Sequence, residues 1–229
     1  MIPYLKNPMG MKSRAFITRW SVSDSETIYL PLVSGGTYNM YVDWGDGSNS
    51  TITDYSSNTH TYTNAGTYDI KITGTCSLWN FNSVQTSKGK ITAVLNWGDV
   101  GITSMNNAFN GCTNLASLAP YAPNVASYAS AFYNCPALTT IPAKLFANCI
   151  NTTSFNAVFM YSYSISGIPA GLFSNCASVT TYTYAFCYCT GLSGAAPELW
   201  NLDPEPTGTS CFYNCTNLTN YADIPTDWK

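Results

Sequence analysis

The chain has 229 residues, with nine basic and twelve acidic side chains, a formal charge of −3 and only 9% charged residues. An average soluble domain carries roughly 25%, so this surface must be built mostly from Ser, Thr, Asn and Tyr. Nine Lys and Arg over this length do not make the dense basic patch that nucleic-acid phosphates demand, and 45% hydrophobic residues exclude a disordered chain.

No apolar run approaches the ~20 residues of a membrane-spanning helix, so membrane insertion is not expected. Residues 1–12 are interrupted by Pro3, Lys6, Pro8, Gly10 and Lys12. They lack the uninterrupted apolar stretch of ~7–15 residues that an export signal needs. The segment reads as an extended lead-in strand, with a docking arm as the alternative.

Residues 14–74 alternate apolar and polar positions in short runs separated by turn residues, the pattern of half-buried strands. The runs are Arg14-Ala-Phe-Ile-Thr-Arg-Trp20, Thr27-Ile-Tyr-Leu30, Tyr38-Asn-Met-Tyr-Val-Asp-Trp44 and Thr67-Tyr-Asp-Ile-Lys-Ile72. Asp46-Gly47 supplies the positive φ of a tight turn. Strands this short predict a two-layer β-sandwich. Val42-Asp-Trp-Gly-Asp-Gly-Ser48, with His60-Thr-Tyr62 and Ala65-Gly-Thr-Tyr-Asp-Ile-Lys-Ile72, resembles the PKD family of immunoglobulin-like sandwiches. The resemblance implies that Trp44 and Tyr68 are core residues, that Asp46-Gly47 is a turn, and that the unit is a spacer or adhesion module. Asp43 and Asp46 fall short of the 6–8 oxygen ligands calcium prefers, and read as turn-capping carboxylates. His60 is the only histidine, so a histidine triad or His-rich metal site has no second imidazole. It reads as a strand residue satisfied by a hydrogen bond.

The second half is periodic. Phe-x-x-Cys recurs at Phe109/Cys112, Phe132/Cys135, Phe146/Cys149, Phe173/Cys176, Phe186/Cys189 and Phe212/Cys215, and Phe159/Ser162 is a copy without the sulfur. Phe109, Phe132, Phe159, Phe186 and Phe212 form one series, spaced 23, 27, 27 and 26. Phe146, Phe173 and Trp200 form a second, with Trp97 as an earlier member. Six residues after each Phe of the first series stand Leu115, Leu138, Ile165, Leu192 and Leu218; nine after stand Leu118, Ile141, Ile168, Ala195 and Tyr221. Four before stand Met105, Tyr128, Phe155, Tyr182 and Gly208, and one before stand Ala108, Ala131, Val158, Ala185 and Cys211. A coil of this length cannot bury its own apolar edge, so stacked coils with like side chains in rows are expected. Pro142 and Pro169 would end short strands. Gly101-Ile-Thr-Ser-Met-Asn-Asn-Ala-Phe-Asn-Gly-Cys-Thr-Asn-Leu115 resembles the BspA-like leucine-rich repeat, and the resemblance runs from about Lys90 to Trp228. It implies a surface or secreted binding protein, with related repeats in phage-encoded proteins. Gly208 and Tyr221 depart from their columns and read as capping structure.

The fold expected is therefore mainly β: a PKD-like β-sandwich with a lead-in segment over residues 1–88, then a leucine-rich-repeat solenoid of short strands and short helical turns over 89–229. The stretch 83–89 serves as a short linker.

Six of nine cysteines sit at one repeated position beside a Phe and read as a row of buried reduced thiols, with disulfides between neighbours as the alternative. Cys187 and Cys189 lack the spacing and the histidine of a metal site. Between Gly101 and Pro197 only Lys144 is charged, unlike a hydrolase cleft. No catalytic residue, metal or cofactor is expected. Tyr133, Tyr161, Tyr163, Tyr184, Tyr188 and Tyr213 fall off the core columns and are the candidate binding residues, because tyrosine offers large contact area with few rotors and a hydroxyl. The expected function is a non-enzymatic binding or structural module, a phage decoration or fibre protein on the virion contacting host-surface or mucosal glycans or proteins, with other virion proteins as neighbours and self-association open. A bacterial cell-surface or secreted adhesin is the second reading. A glycan hydrolase using carboxylates around Glu198, Asp203 and Glu205 is the third.

Overall fold

The computed structural model describes residues 14–83 and 86–229. The lead-in segment through residue 13 and residues 84–85 of the linker stretch lie outside the described residues. The regular strands are β1 (Phe16–Val22), β2 (Glu26–Tyr29), β3 (Tyr38–Asp43), β4 (Asn49–Ile52), β5 (Thr59–Tyr62), β6 (Gly66–Cys76) and β7 (Ile91–Asn96). They form a five-stranded sheet in the order β4-β3-β6-β1-β7 and a two-stranded sheet of β2 and β5, all antiparallel.

Alternation explains which face of each strand is buried. In β1, Phe16, Thr18, Trp20 and Val22 turn inward while Arg19 and Ser21 face solvent. The buried Thr18 hydroxyl is satisfied by the Trp20 indole N–H at 2.8 Å, as an enclosed polar group requires. Trp44 is fully buried, and the Tyr62 hydroxyl donates to its carbonyl at 2.8 Å, tying β5 to the end of β3. Tyr68, which the PKD resemblance puts in the core, is instead half-buried against it. Its ring stacks on Tyr62 at 4.3 Å while its hydroxyl reaches the Asn64 carbonyl at the rim.

Two features join the halves. The strand β7, which follows residue 89, pairs with β1. The linker stretch is pinned where it is described: Ser87 is buried, its hydroxyl accepts from Tyr29 N–H at 2.9 Å, and Lys90 pairs with Glu26.

After β7 the chain forms successive rungs. N–H groups at every second residue of a rung donate to the next rung. Around Phe132 the bonds run from Tyr128, Ser130, Phe132 and Asn134 to the carbonyls of Ser154, Asn156, Val158 and Met160, at 2.8–3.0 Å. Around Phe159 they run from Phe155, Ala157, Phe159 and Tyr161 to Thr181, Thr183, Ala185 and Cys187. Two left-handed residues flank each Phe. Asn107, Ser130, Ala157, Tyr184 and Ser210 stand two before it, and Gly111, Asn134, Tyr161, Tyr188 and Asn214 two after, all with φ between 50° and 74°. These reversals curl the backbone around the ring and prevent a continuous extended run. The short strands expected here are therefore replaced by isolated parallel bridges, Ser127↔Ser154, Ser154↔Thr181 and Thr181↔Thr207. Pro142 and Pro169 begin turns, their carbonyls accepting from Leu145 and Leu172.

Inside the rungs the rings stack. Phe109, Phe132, Phe159, Phe186 and Phe212 follow one another at 5.4–5.7 Å, with interplanar angles of 20° or less. Phe81 continues the row at 6.1 Å on the sheet side. Tyr128, Phe155 and Tyr182 form a second row at 5.6 and 5.8 Å, and Phe146 lies 5.7 Å from Phe173. Trp97 packs on Phe16, Phe109 and Phe132 rather than in the Phe146 row.

A core assignment in the repeat half also fails. Ala195 is exposed and Ala196 is buried in its place. Gly194, in a left-handed conformation with φ 76°, shifts the register by one residue.

Candidate functional site: a row of tyrosines

Of the six candidate tyrosines, four meet. Tyr133 and Tyr213 stand one residue after their Phe, Tyr161 and Tyr188 two after. These positions share one flank of the rungs, so the four rings make one continuous row. Tyr133 is 5.5 Å from Tyr161 at 84°, Tyr161 is 5.0 Å from Tyr188 at 24°, and Tyr188 is 5.3 Å from Tyr213 at 67°. The inner pair is stacked and the outer rings are turned edgewise to it. The Tyr213 phenol, with smaller effects of burial and of Tyr161, pushes the Tyr188 phenol up from its ordinary value. Tyr163 and Tyr184 are exposed but do not join the row.

The backbone beneath the row is unusual. Tyr161 and Tyr188 have φ of 63° and 60°, a region that costs a bulky residue on the order of 1–3 kcal/mol. At the position of Tyr161 and Tyr188 the other rungs carry Gly111, Asn134 and Asn214, residue types that enter this region readily. Local structure favours Asn or Gly there, so the two tyrosines require another explanation, and the row they form supplies one.

The hydroxyl column was missed by sequence reasoning. Five residues before each Phe stand Ser104, Ser127, Ser154, Thr181 and Thr207. The first four hydroxyls accept from the N–H two residues on, at 3.2–3.3 Å, and so cap the start of each turn. The recurrence was visible in the sequence once the Phe register was known.

The remaining candidates have structural partners. Asp43 accepts from Gly45 N–H and pairs with Lys71. Asp46 accepts from Ser48 N–H and hydroxyl and from the His60 ring at 2.8 Å, and His60 stacks on Trp44 at 4.6 Å. Burial opposes ionisation of Asp46, but the Ser48 and His60 bonds outweigh it and hold its carboxyl down at about 2. Its folded value thus lies below its unfolded one. The network contributes its full stability above about pH 4 and loses it as pH falls through about 2. Thermal unfolding followed from pH 5 down to 2 is expected to show that loss in wild type. Asp46→Asn is expected to start less stable and to fall less steeply over this range.

All nine cysteines are free and buried. Burial pushes the thiols of Cys76, Cys135, Cys176 and Cys215 up to about 12, which denies them the thiolate that nucleophilic chemistry needs. Glu198, Asp203 and Glu205 are exposed. Glu198 accepts from the Asn201 amide and Glu205 from the Trp228 indole, so both brace the end of the stack. Among the described residues no three of His, Cys, Asp and Glu gather as for a metal, and no helix is long and apolar enough to cross a membrane. A concavity of about 360 Å³ beside Trp97 and Tyr121 is lined by none of the six tyrosines.

Comparison with known protein families, with curated proteins and with solved structures finds no match to this chain.

Proposed function

We propose that this protein is a non-enzymatic adhesive module: a PKD-like sandwich continued into a BspA-like leucine-rich-repeat solenoid that contacts a surface ligand through one flank. The observation that carries this reading is the row Tyr133, Tyr161, Tyr188 and Tyr213, one ring per rung. Two of its members occupy positions where the fold alone favours Asn or Gly. Residues that reduce stability while building a half-exposed, rigid aromatic surface are typical of binding sites. The row is a ridge rather than a pocket, which suits an extended polymer or a protein surface better than a small molecule. Display on a phage particle, as a decoration or fibre protein facing host or mucosal surfaces, is the setting this reading favours. Detection of the chain in purified particles tests the setting.

The double variant Tyr161→Asn, Tyr188→Asn separates binding from folding, because Asn134 and Asn214 occupy the same column in neighbouring rungs. Its melting temperature is expected to equal or exceed that of wild type, as relief of left-handed strain predicts. Binding to host cells or to a glycan array is expected to fall about tenfold or more, as for loss of central aromatic anchors. Unchanged binding would refute the role of the row.

A further inference from the structure

The tyrosine row has a charged end. At the first rung the position two after the Phe is Gly111, and its missing side chain leaves room for Lys88. A methyl built on Gly111 would stand 3.2 Å from the Lys88 Cδ and 3.4 Å from its amine. Gly111 N–H donates to the Tyr133 carbonyl at 2.8 Å, so the Lys88 amine sits one rung ahead of the first tyrosine. Arg19, Lys71 and Lys90 each pair with a carboxylate, whereas Lys88 has no acidic partner among the described residues. From Gly101 to Pro197 the sole charged residue is Lys144, so no acid competes for this amine from within the rungs. At the opposite end the one amine, that of Lys229, is held by the Tyr221 and Ala222 carbonyls. The row therefore carries an amine without an acidic partner at its Lys88 end.

Spacing discriminates between ligand classes. The rings recur every 5.0–5.5 Å. A peptide strand presents side chains on one face every two residues, roughly 6.6–6.8 Å, and a polyproline II segment every three residues, roughly 9 Å; both run out of step within two rungs. An extended chain of pyranose rings advances about one sugar per rung, and its hydroxyls can exchange hydrogen bonds with the phenols along the whole row.

We infer that the ligand is an acidic oligosaccharide lying along Tyr133, Tyr161, Tyr188 and Tyr213 with a sugar carboxylate at Lys88. This deepens the adhesive reading and rests on it. The carboxylate gains a charge-assisted hydrogen bond from the amine.

The test uses the full chain and two probes measured by calorimetry: an oligogalacturonate, and the same oligomer with its carboxyls reduced to alcohols. Wild type is expected to bind the acidic oligomer about tenfold more tightly than the reduced one, a preference that shrinks as salt is raised. Lys88→Gln is expected to abolish the preference, bringing the acidic oligomer down to the affinity of the reduced one. Tyr161→Asn with Tyr188→Asn is expected to weaken both. Equal affinity of wild type for the two oligomers, or a preference that survives Lys88→Gln, overturns the acidic-ligand inference and leaves the tyrosine row intact. If the tyrosine variants bind both oligomers as wild type does, or wild type binds neither, the row itself fails as a glycan site.

Discussion

Gly208→Ala is expected to destabilise the protein by about 3 kcal/mol, the upper part of the range for overpacking a closed core. The reason is one residue away from the sequence pattern. Met105, Tyr128, Phe155 and Tyr182 fill the column four before each Phe, and all are buried. At the last rung the column holds Gly208, and the Trp228 indole occupies the space. A Cβ on Gly208 would lie 2.0 Å from Trp228 Cδ2 and Cε2. The indole has little room to move: it is fully buried, packs on Trp200 at 6.0 Å and donates to Glu205. Its own backbone is held too, since Phe212 N–H donates to the Trp228 carbonyl and Ser210 N–H to that of Asp227, both at 2.7 Å. Residues 227–228 thus lie on the rung around Phe212 as the next rung would, and the Trp228 indole covers its apolar face.

Trp228→Ala is expected to cost about 3–5 kcal/mol by emptying the same slot. The pair provides an internal control. With the indole gone, Gly208→Ala meets open space, so its cost should largely disappear and the double variant should be no less stable than Trp228→Ala alone. Urea melts of the four proteins measure the coupling. Additive losses would mean that the cap is not seated on Gly208.

The same residue illustrates what the sequence could and could not convey. The Phe, Leu and small-residue columns were legible because a buried row tolerates little change in size, so like residues recur at fixed offsets. Gly208 was legible as an exception, but not what fills it, because Trp228 lies outside the period. The left-handed positions were hidden: their occupants include Ser130, Ala157 and Tyr184, none of which announces a positive φ. Strand β4 was missed because Asn49-Ser-Thr-Ile52 has a single apolar residue facing the core. Strand β7 was missed because it sits inside what reads as the repeat half. For the site, exclusion from the core columns found all four members of the row and also Tyr163 and Tyr184, which stand apart. Separating them needed the knowledge that offsets one and two after the Phe meet on one flank, where the residue at offset two is left-handed.

Ser162→Ala is expected to cost about 3 kcal/mol, because it strands two buried backbone groups at once, whereas Ser162→Cys is expected to stay within about 1 kcal/mol of wild type. Ser162 is the copy in which the ladder cysteine is replaced, and it is completely buried. Its hydroxyl donates to the Phe132 carbonyl at 2.8 Å and accepts from Cys135 N–H at 3.1 Å. The thiols of the same column repeat the first bond one rung at a time: Cys135 reaches the Phe109 carbonyl at 3.2 Å, Cys189 that of Phe159 at 3.0 Å and Cys215 that of Phe186 at 3.0 Å. The column therefore selects a small side chain carrying a donor that also accepts, and sulfur or oxygen serves. A methyl fills the volume but offers neither, and in a closed interior no water replaces them. If Ser162→Ala melts with Ser162→Cys and wild type, the repeated Cys position is chosen for size alone, and the rung-to-rung hydrogen bonds through this column contribute nothing net to stability.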